Sequence, residues 1–149
     1  MHWDEYYLNV AETVATQSKD PSTKVGCVIV SEDNYIISTG YNGFIRKCDE
    51  NFMTFEKPLK DLLSVHAEMN ALINAKSSLK NAIVYCTHAS CENCLKHLVQ
   101  AGVKKIIYKH SNTNGNYLVG ERLEAIKRII KATNIEFKNI NGKSFLDDI

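Results

Sequence analysis

Apolar residues recur at helical spacing near the start of the chain. Trp3, Tyr7, Val10, Ala11 and Val14 predict an amphipathic helix from residue 3 to about residue 18. Pro21 disfavours helical geometry at Asp20, so the helix should break there. Residues 24–30 are apolar and β-branched, the pattern of a buried strand. A turn at Glu32-Asp33-Asn34 leads to a second strand over 35–41, so the two form a hairpin. Residues 44–64 carry charges, Pro58 and no clean period, which predicts a long, partly ordered loop. Further on, the pattern predicts helices over 67–76, 91–101 and 120–132. Strands are predicted over 82–87, 105–108 and 135–137, with a polar loop at 111–117 and an uninformative tail from 139.

The order is therefore α-β-β-α-β-α-β-α-β. Strands that alternate with helices imply crossover connections and helices on both faces of a sheet. The expected fold class is α/β, a three-layer α/β/α arrangement with a mixed five-stranded sheet, in a single domain over 1–149.

Composition narrows the function. The 149 residues are 44% hydrophobic and 23% charged, with a formal net charge of +1. A polynucleotide-binding domain shows a basic excess, so a small substrate is expected and nucleic acid is not. The longest apolar run, around Val25–Val30, is too short to span a bilayer. The first residues, Met1-His2-Trp3-Asp4-Glu5, lack a signal-peptide pattern. Five cysteines, an odd number, then suggest free thiols in a reducing, cytoplasmic setting.

Two short stretches carry the chemistry, His66-Ala67-Glu68 and Cys91-Glu92-Asn93-Cys94. They offer one imidazole, two thiols and a spare carboxylate. That is the inventory for a zinc ion with three protein ligands, an open fourth position and a general acid/base. Cys91 and Cys94 share one helix face in a first turn, where the dipole favours thiolates, and Ser90 is a suitable N-cap. His66 and Glu68 are two apart, so they can address one point only at a helix start. Both helices should therefore aim their N-termini at one crevice. A Cys-x-x-Cys also fits a redox pair. It fits half of a structural zinc site too, with His88 or His97 closing the fourth position. Cys27 and Cys86 read as small core residues, and Cys48 as a loop thiol.

With these residues in hand, the chain resembles the zinc-dependent cytidine deaminase superfamily, whose signature pairs His-x-Glu with Pro-Cys-x-x-Cys. It is most similar to the deoxycytidylate group. The stretches Val25–Val30, Gly40-Tyr41-Asn42-Gly43, His66-Ala67-Glu68-Met69-Asn70-Ala71, and Cys91–Cys94 followed by Gln100–Lys105 carry the likeness. The family has proline where this chain has Ser90, and relatives often have proline at the position of Ile45. The resemblance implies hydrolytic deamination of dCMP, with zinc on His66, Cys91 and Cys94 and Glu68 as the proton carrier. It implies that Asn42 meets the sugar 3′-hydroxyl and that the Ala67 N–H meets the pyrimidine O2. Tyr117 stands where relatives place an aromatic near the substrate. Lys24, with Ser22 and Thr23, is the expected phosphate contact, and Arg46 a contact to phosphate or a regulatory nucleotide. The group further implies dCTP and dTTP as effectors, Mg²⁺ accompanying a regulatory nucleotide, and a homo-oligomer, a hexamer in many relatives.

Three rivals stand beside that reading. A tRNA adenosine deaminase shares the zinc motif but needs a basic face for its polynucleotide. A free cytidine deaminase typically has a cysteine where His66 stands. A non-catalytic structural zinc protein would hold the metal with four protein ligands.

Overall fold

The computed structural model describes residues 1–112 and 117–149. The elements are α1 (Trp3–Ala15), β1 (Gly26–Val30), β2 (Ile36–Tyr41), a 3-10 turn (Glu50–Phe52), α2 (Leu59–Leu63), α3 (Ala67–Asn74), β3 (Ile83–His88), α4 (Glu92–Gln100), β4 (Lys105–His110), α5 (Gly120–Thr133), β5 (Glu136–Asn139) and α6 (Phe145–Asp148). The strands form one mixed sheet in the order β2-β1-β3-β4-β5. β1 runs antiparallel to both β2 and β3, while β3, β4 and β5 are parallel. This is the three-layer arrangement that the alternation of elements predicts.

All five residues of β1 are buried because the strand has helices on both sides. Its alternate side chains serve two cores. Val28 and Val30 join Tyr85 and Ile107 under Tyr7, Leu8 and Ala11 of α1. Cys27 and Ile29 join Val84, Cys86, Ile106 and Tyr108 under α3, α4 and α5. Two glycines let helices approach the sheet at backbone distance. A Cβ at Gly26 would lie 1.9 Å from the Ala11 carbonyl oxygen, and one at Gly40 would lie 2.3 Å from the Ala67 oxygen. α1 is thus pressed onto β1, and α3 onto β2 at its own first residue.

Two stretches differ from the sequence-based expectation. The predicted loop over 44–64 contains the 3-10 turn and α2. α2 is barely longer than one turn, and its Leu59 and Leu62 are exposed, so it has no buried stripe to reveal it. The tail forms α6, whose Phe145 is fully buried and stacks on Phe137 with ring centroids 4.9 Å apart. The predicted polar loop at 111–117 falls partly on residues 113–116, outside the described residues. No helix among the described residues is long and apolar enough to cross a membrane.

Candidate active site

α3 and α4 begin beside one another, and the caps explain how. His66 is the N-cap of α3 with extended backbone (φ −70°, ψ 155°), and Cys91 is the N-cap of α4 (φ −71°, ψ 170°). A cap residue lies outside helical geometry while its carbonyl already takes the first helical bond. Those bonds come from Asn70 to His66 and from Leu95 to Cys91, each 2.9 Å. Because His66 precedes the helix proper, it and Glu68 escape the opposed facing of helical residues two apart. The approach to His66 is pinned by paired backbone bonds between Gly43 and Val65, 3.1 and 2.7 Å. The Gly40-Tyr41-Asn42-Gly43 turn therefore positions the start of α3.

Ser90 is not the cap expected of it. Cys91 takes that position, and the Ser90 hydroxyl is buried with no hydrogen-bond partner of normal geometry. It sits close enough to Glu68 to favour the carboxylate slightly.

His66 Nδ1 lies 3.5 Å from Cys91 Sγ and 3.5 Å from Cys94 Sγ. The three ligand atoms all fall within 4.8 Å of one another. Nitrogen and sulfur on a tetrahedral zinc, at about 2.05 and 2.3 Å from the metal, stand about 3.6 Å apart. The donor set and its spacing therefore fit zinc. Neither candidate for a fourth ligand belongs to the group. His97 is exposed and its Nδ1 pairs with the Asn93 carbonyl at 2.6 Å, while His88 Nδ1 pairs with Thr87 Oγ1 at 2.8 Å.

The electrostatics follow from this crowding. Hydrogen bonds from Cys94 and His66 pull the Cys91 thiol well below its ordinary range, while the contact with Cys91 and burial push the Cys94 thiol up. The same contact with Cys91 raises His66. Glu68 is only 5% exposed, and burial, then the Cys91 charge, raises its carboxyl above the usual range. Burial and neighbouring His110 depress His88 to about 4, so it is neutral at ordinary pH. Burial and the Cys91 charge raise Tyr117. Cys27 and Cys86 face each other across β1 and β3, both fully buried, and burial pushes the Cys86 thiol up.

These residues floor a pocket of about 260 Å³. His66, Ala67, Glu68 and Cys91 line it together with Asn42 and Tyr117. The Asn42 side chain is held on all sides. Its Oδ1 accepts from Val25 N–H at 2.9 Å, and its Nδ2 donates to the Thr23 carbonyl at 2.9 Å and to Asp20 Oδ2 at 3.4 Å. One Oδ1 lone pair remains for a ligand donor. The Tyr117 hydroxyl lies 3.3 Å from His66 Nε2.

Lys24 is the sequence-predicted contact that the structure does not bring to the pocket. It is exposed and absent from the wall, although its neighbours Thr23 and Val25 both line the pocket. The cations on the wall are Lys57 and Lys60 instead, with Ser22 and Thr23 of the loop before β1. Lys60 is paired with buried Asp20, whose Oδ1 also accepts from the Ser22 and Thr23 amides. Asp-Pro-Ser-Thr is a recognisable Asx-turn sequence and could have marked Asp20. Nothing in the pattern of residues 44–64 marks the lysines. Arg46 lines a separate hollow of about 410 Å³ beside the Gly40–Gly43 turn, where it donates to Asn74 Oδ1 at 2.6 Å.

Comparison with known proteins matches this geometry. Residues 1–110 match the family model described as the cytidine and deoxycytidylate deaminase zinc-binding region. A probable deoxycytidylate deaminase of Drosophila melanogaster is 34% identical over 150 residues, spanning 93% of this chain and 72% of that protein. The deoxycytidylate deaminase of Mus musculus is 31% identical over 150 residues, spanning 96% and 82%. Among solved structures, the dCMP deaminase of cyanophage S-TIM5 in complex with dCMP and dUMP superposes with a TM-score of 0.71. It is 26% identical, covering 91% of this chain and 95% of that one.

Proposed function

The chain belongs to the cytidine and deoxycytidylate deaminase family, and from that premise we propose that it hydrolyses dCMP to dUMP and ammonia, supplying dUMP for thymidylate synthesis. The observation that carries the reading is the convergence of His66, Cys91 and Cys94 beside the buried carboxyl of Glu68 in a nucleoside-sized pocket. Net reaction adds water at C4 of cytosine and breaks the C4–N4 bond, with no change of redox state.

His66, Cys91 and Cys94 would hold the zinc. When bound, zinc supplies Lewis acidity that brings the pKa of water down toward 7. Glu68 takes one proton from the attacking water and passes it to ring N3. It then takes the remaining proton from the new C4 hydroxyl and gives it to the departing amine, so that C4=O forms as the C4–N4 bond breaks. Its raised carboxyl suits a group that must both accept and return a proton near neutrality. The Ala67 N–H, at the start of α3, reads the pyrimidine O2. The free lone pair of Asn42 accepts from the sugar 3′-hydroxyl, and Tyr117 closes the base side. For the 5′-phosphate we assign Ser22, Thr23, Lys57 and Lys60 in place of Lys24, since they line the pocket.

The finer regulatory reading rests on the hollow at Arg46. Its basic and amide groups, with the stacked Phe44 and Phe55 rings 4.2 Å apart, suit a dCTP or dTTP effector. His66, Cys91 and Cys94 form the one possible metal-holding group among the described residues, so Mg²⁺ would arrive on the effector's phosphates. A single domain over 1–149, assembled as a homohexamer in the cytoplasm, completes the proposal.

The test is loss of ultraviolet absorbance with dCMP, deoxycytidine and tRNA offered in parallel. Turnover of dCMP alone is expected. No turnover of dCMP, or turnover of tRNA in its place, would overturn the assignment.

A further inference from the structure

Tyr117 does more than line the pocket. Its hydroxyl oxygen stands 3.3 Å from His66 Nε2 and is also within hydrogen-bonding reach of the Cys91 sulfur. Nδ1 of the same ring faces Cys91 and Cys94 at 3.5 Å each. A neutral imidazole that gives Nδ1 to a metal carries its proton on Nε2, and that N–H needs an acceptor. A partner of this kind sets the tautomer and the ring orientation of a ligating histidine.

The tyrosine is itself held. The Arg122 guanidinium carbon lies 5.0 Å from the centre of the Tyr117 ring, within range of a cation–π contact. Arg122 Nη1 donates to Glu92 Oε1 and Oε2 at 2.5 and 3.0 Å. Glu92 is the first residue of α4, directly after Cys91. α5 is thereby tied to the helix that carries both thiols, with the Tyr117 ring underneath the tie.

We infer that Tyr117 is a positioning residue for His66: its oxygen accepts the Nε2–H, so that Nδ1 is presented to the metal, and the Arg122–Glu92 pair holds the phenol in place. The inference rests on the zinc reading above and deepens it. A tyrosine that only touched nucleotide would leave metal binding unchanged in the absence of substrate.

The experiment measures zinc affinity without nucleotide, by competition against a chromogenic chelator, for wild type, Tyr117→Phe and Arg122→Met. Cobalt-substituted protein supplies the ligand-field spectrum as a second readout. Tyr117→Phe should weaken zinc binding by about 10- to 100-fold, the range for loss of such a partner, and shift the cobalt bands. Arg122→Met keeps the hydroxyl and should show a smaller loss in the same direction. Unfolding of the metal-free variants checks that they fold. If Tyr117→Phe does not fold, unchanged zinc affinity in Arg122→Met overturns the proposal. Zinc affinity within twofold of wild type in Tyr117→Phe, with only KM for dCMP altered, overturns it directly. Wild type that binds no zinc would instead overturn the metal reading itself.

Discussion

Lys60 Nζ lies 2.9 Å from Asp20 Oδ2 and 3.0 Å from Oδ1, in an ion pair whose side chains are 12% and 3% exposed. Asp20 also accepts from the Ser22 and Thr23 amides, so one carboxylate organises the loop and one wall of the pocket. Removing one partner of a buried pair strands the other charge. Lys60→Ala should cost about 3 kcal/mol in urea unfolding. Burial alone would raise Asp20, but the Lys60 hydrogen bond, the two amides and the Lys60 charge hold it below its ordinary 3.8. A carboxyl lowered by folding stabilises the native state above its unfolded pKa. That contribution is lost as pH falls below about 3.8 and on through the folded value, and Asp20→Asn should abolish this part of the acid dependence.

Glu68 carries the proton in the proposed reaction but is not among the three grouped donors. Glu68→Gln keeps shape and burial while removing the titrating group. It should retain zinc by elemental analysis and lose dCMP turnover by about 10²- to 10⁴-fold, the usual worth of a general acid/base. Wild-type rates in this variant would remove Glu68 from the mechanism.

Gly40 tests whether the sheet sets the position of α3. A Cβ there would lie 2.3 Å from the Ala67 oxygen and 2.4 Å from the Ala71 nitrogen, both backbone atoms that cannot swing away. Gly40→Ala must displace the helix start that carries His66 and Glu68. Unfolding should show a loss of about 1–3 kcal/mol, as overpacking does, together with weaker zinc binding. An unshifted protein with normal zinc affinity would show that α3 has slack.

His88 gives a signature at milder pH. Its folded value is about 4, against an ordinary 6.5 in the unfolded chain, because burial and then His110 oppose its charge. The unfolded chain takes up a proton between these values and the folded one does not. Stability from this group is thus full above about pH 6.5 and declines as pH falls toward 4. His88→Gln should flatten that interval of the stability curve in metal-free protein. An identical slope in the variant would show that other groups supply it.

Much of this could be read from the chain because it depends on short spacings. Cys91 and Cys94 fall together through one helical turn, and the His66–Glu68 spacing demands a helix start, which is where His66 lies. The alternation of strands and helices likewise gave the layers. What escaped notice depends on long-range register or on elements too short to have a period. Lys60 meets Asp20 across forty residues of chain, and no local pattern announces that encounter. Lys24 stands between Thr23 and Val25, both on the wall, yet it is itself exposed and off the wall. Phe145 finds its place only by stacking on Phe137, a contact invisible until β5 is placed at the sheet edge.

The placement of β1 between β2 and β3 has a kinetic consequence. The pocket draws on the loop before β1, the turn after β2, the caps of α3 and α4, and Tyr117 beyond β4. The hairpin of β1 and β2 joins the first two of these, but the cap of α4 and Tyr117 join them only when the long-range pairings of β1 with β3 and of β3 with β4 have closed, and such closures are slow steps. The donor trio therefore assembles late. Unlike a zinc finger, whose metal drives a small chain to fold, this chain should acquire its structure first and capture its ion afterwards.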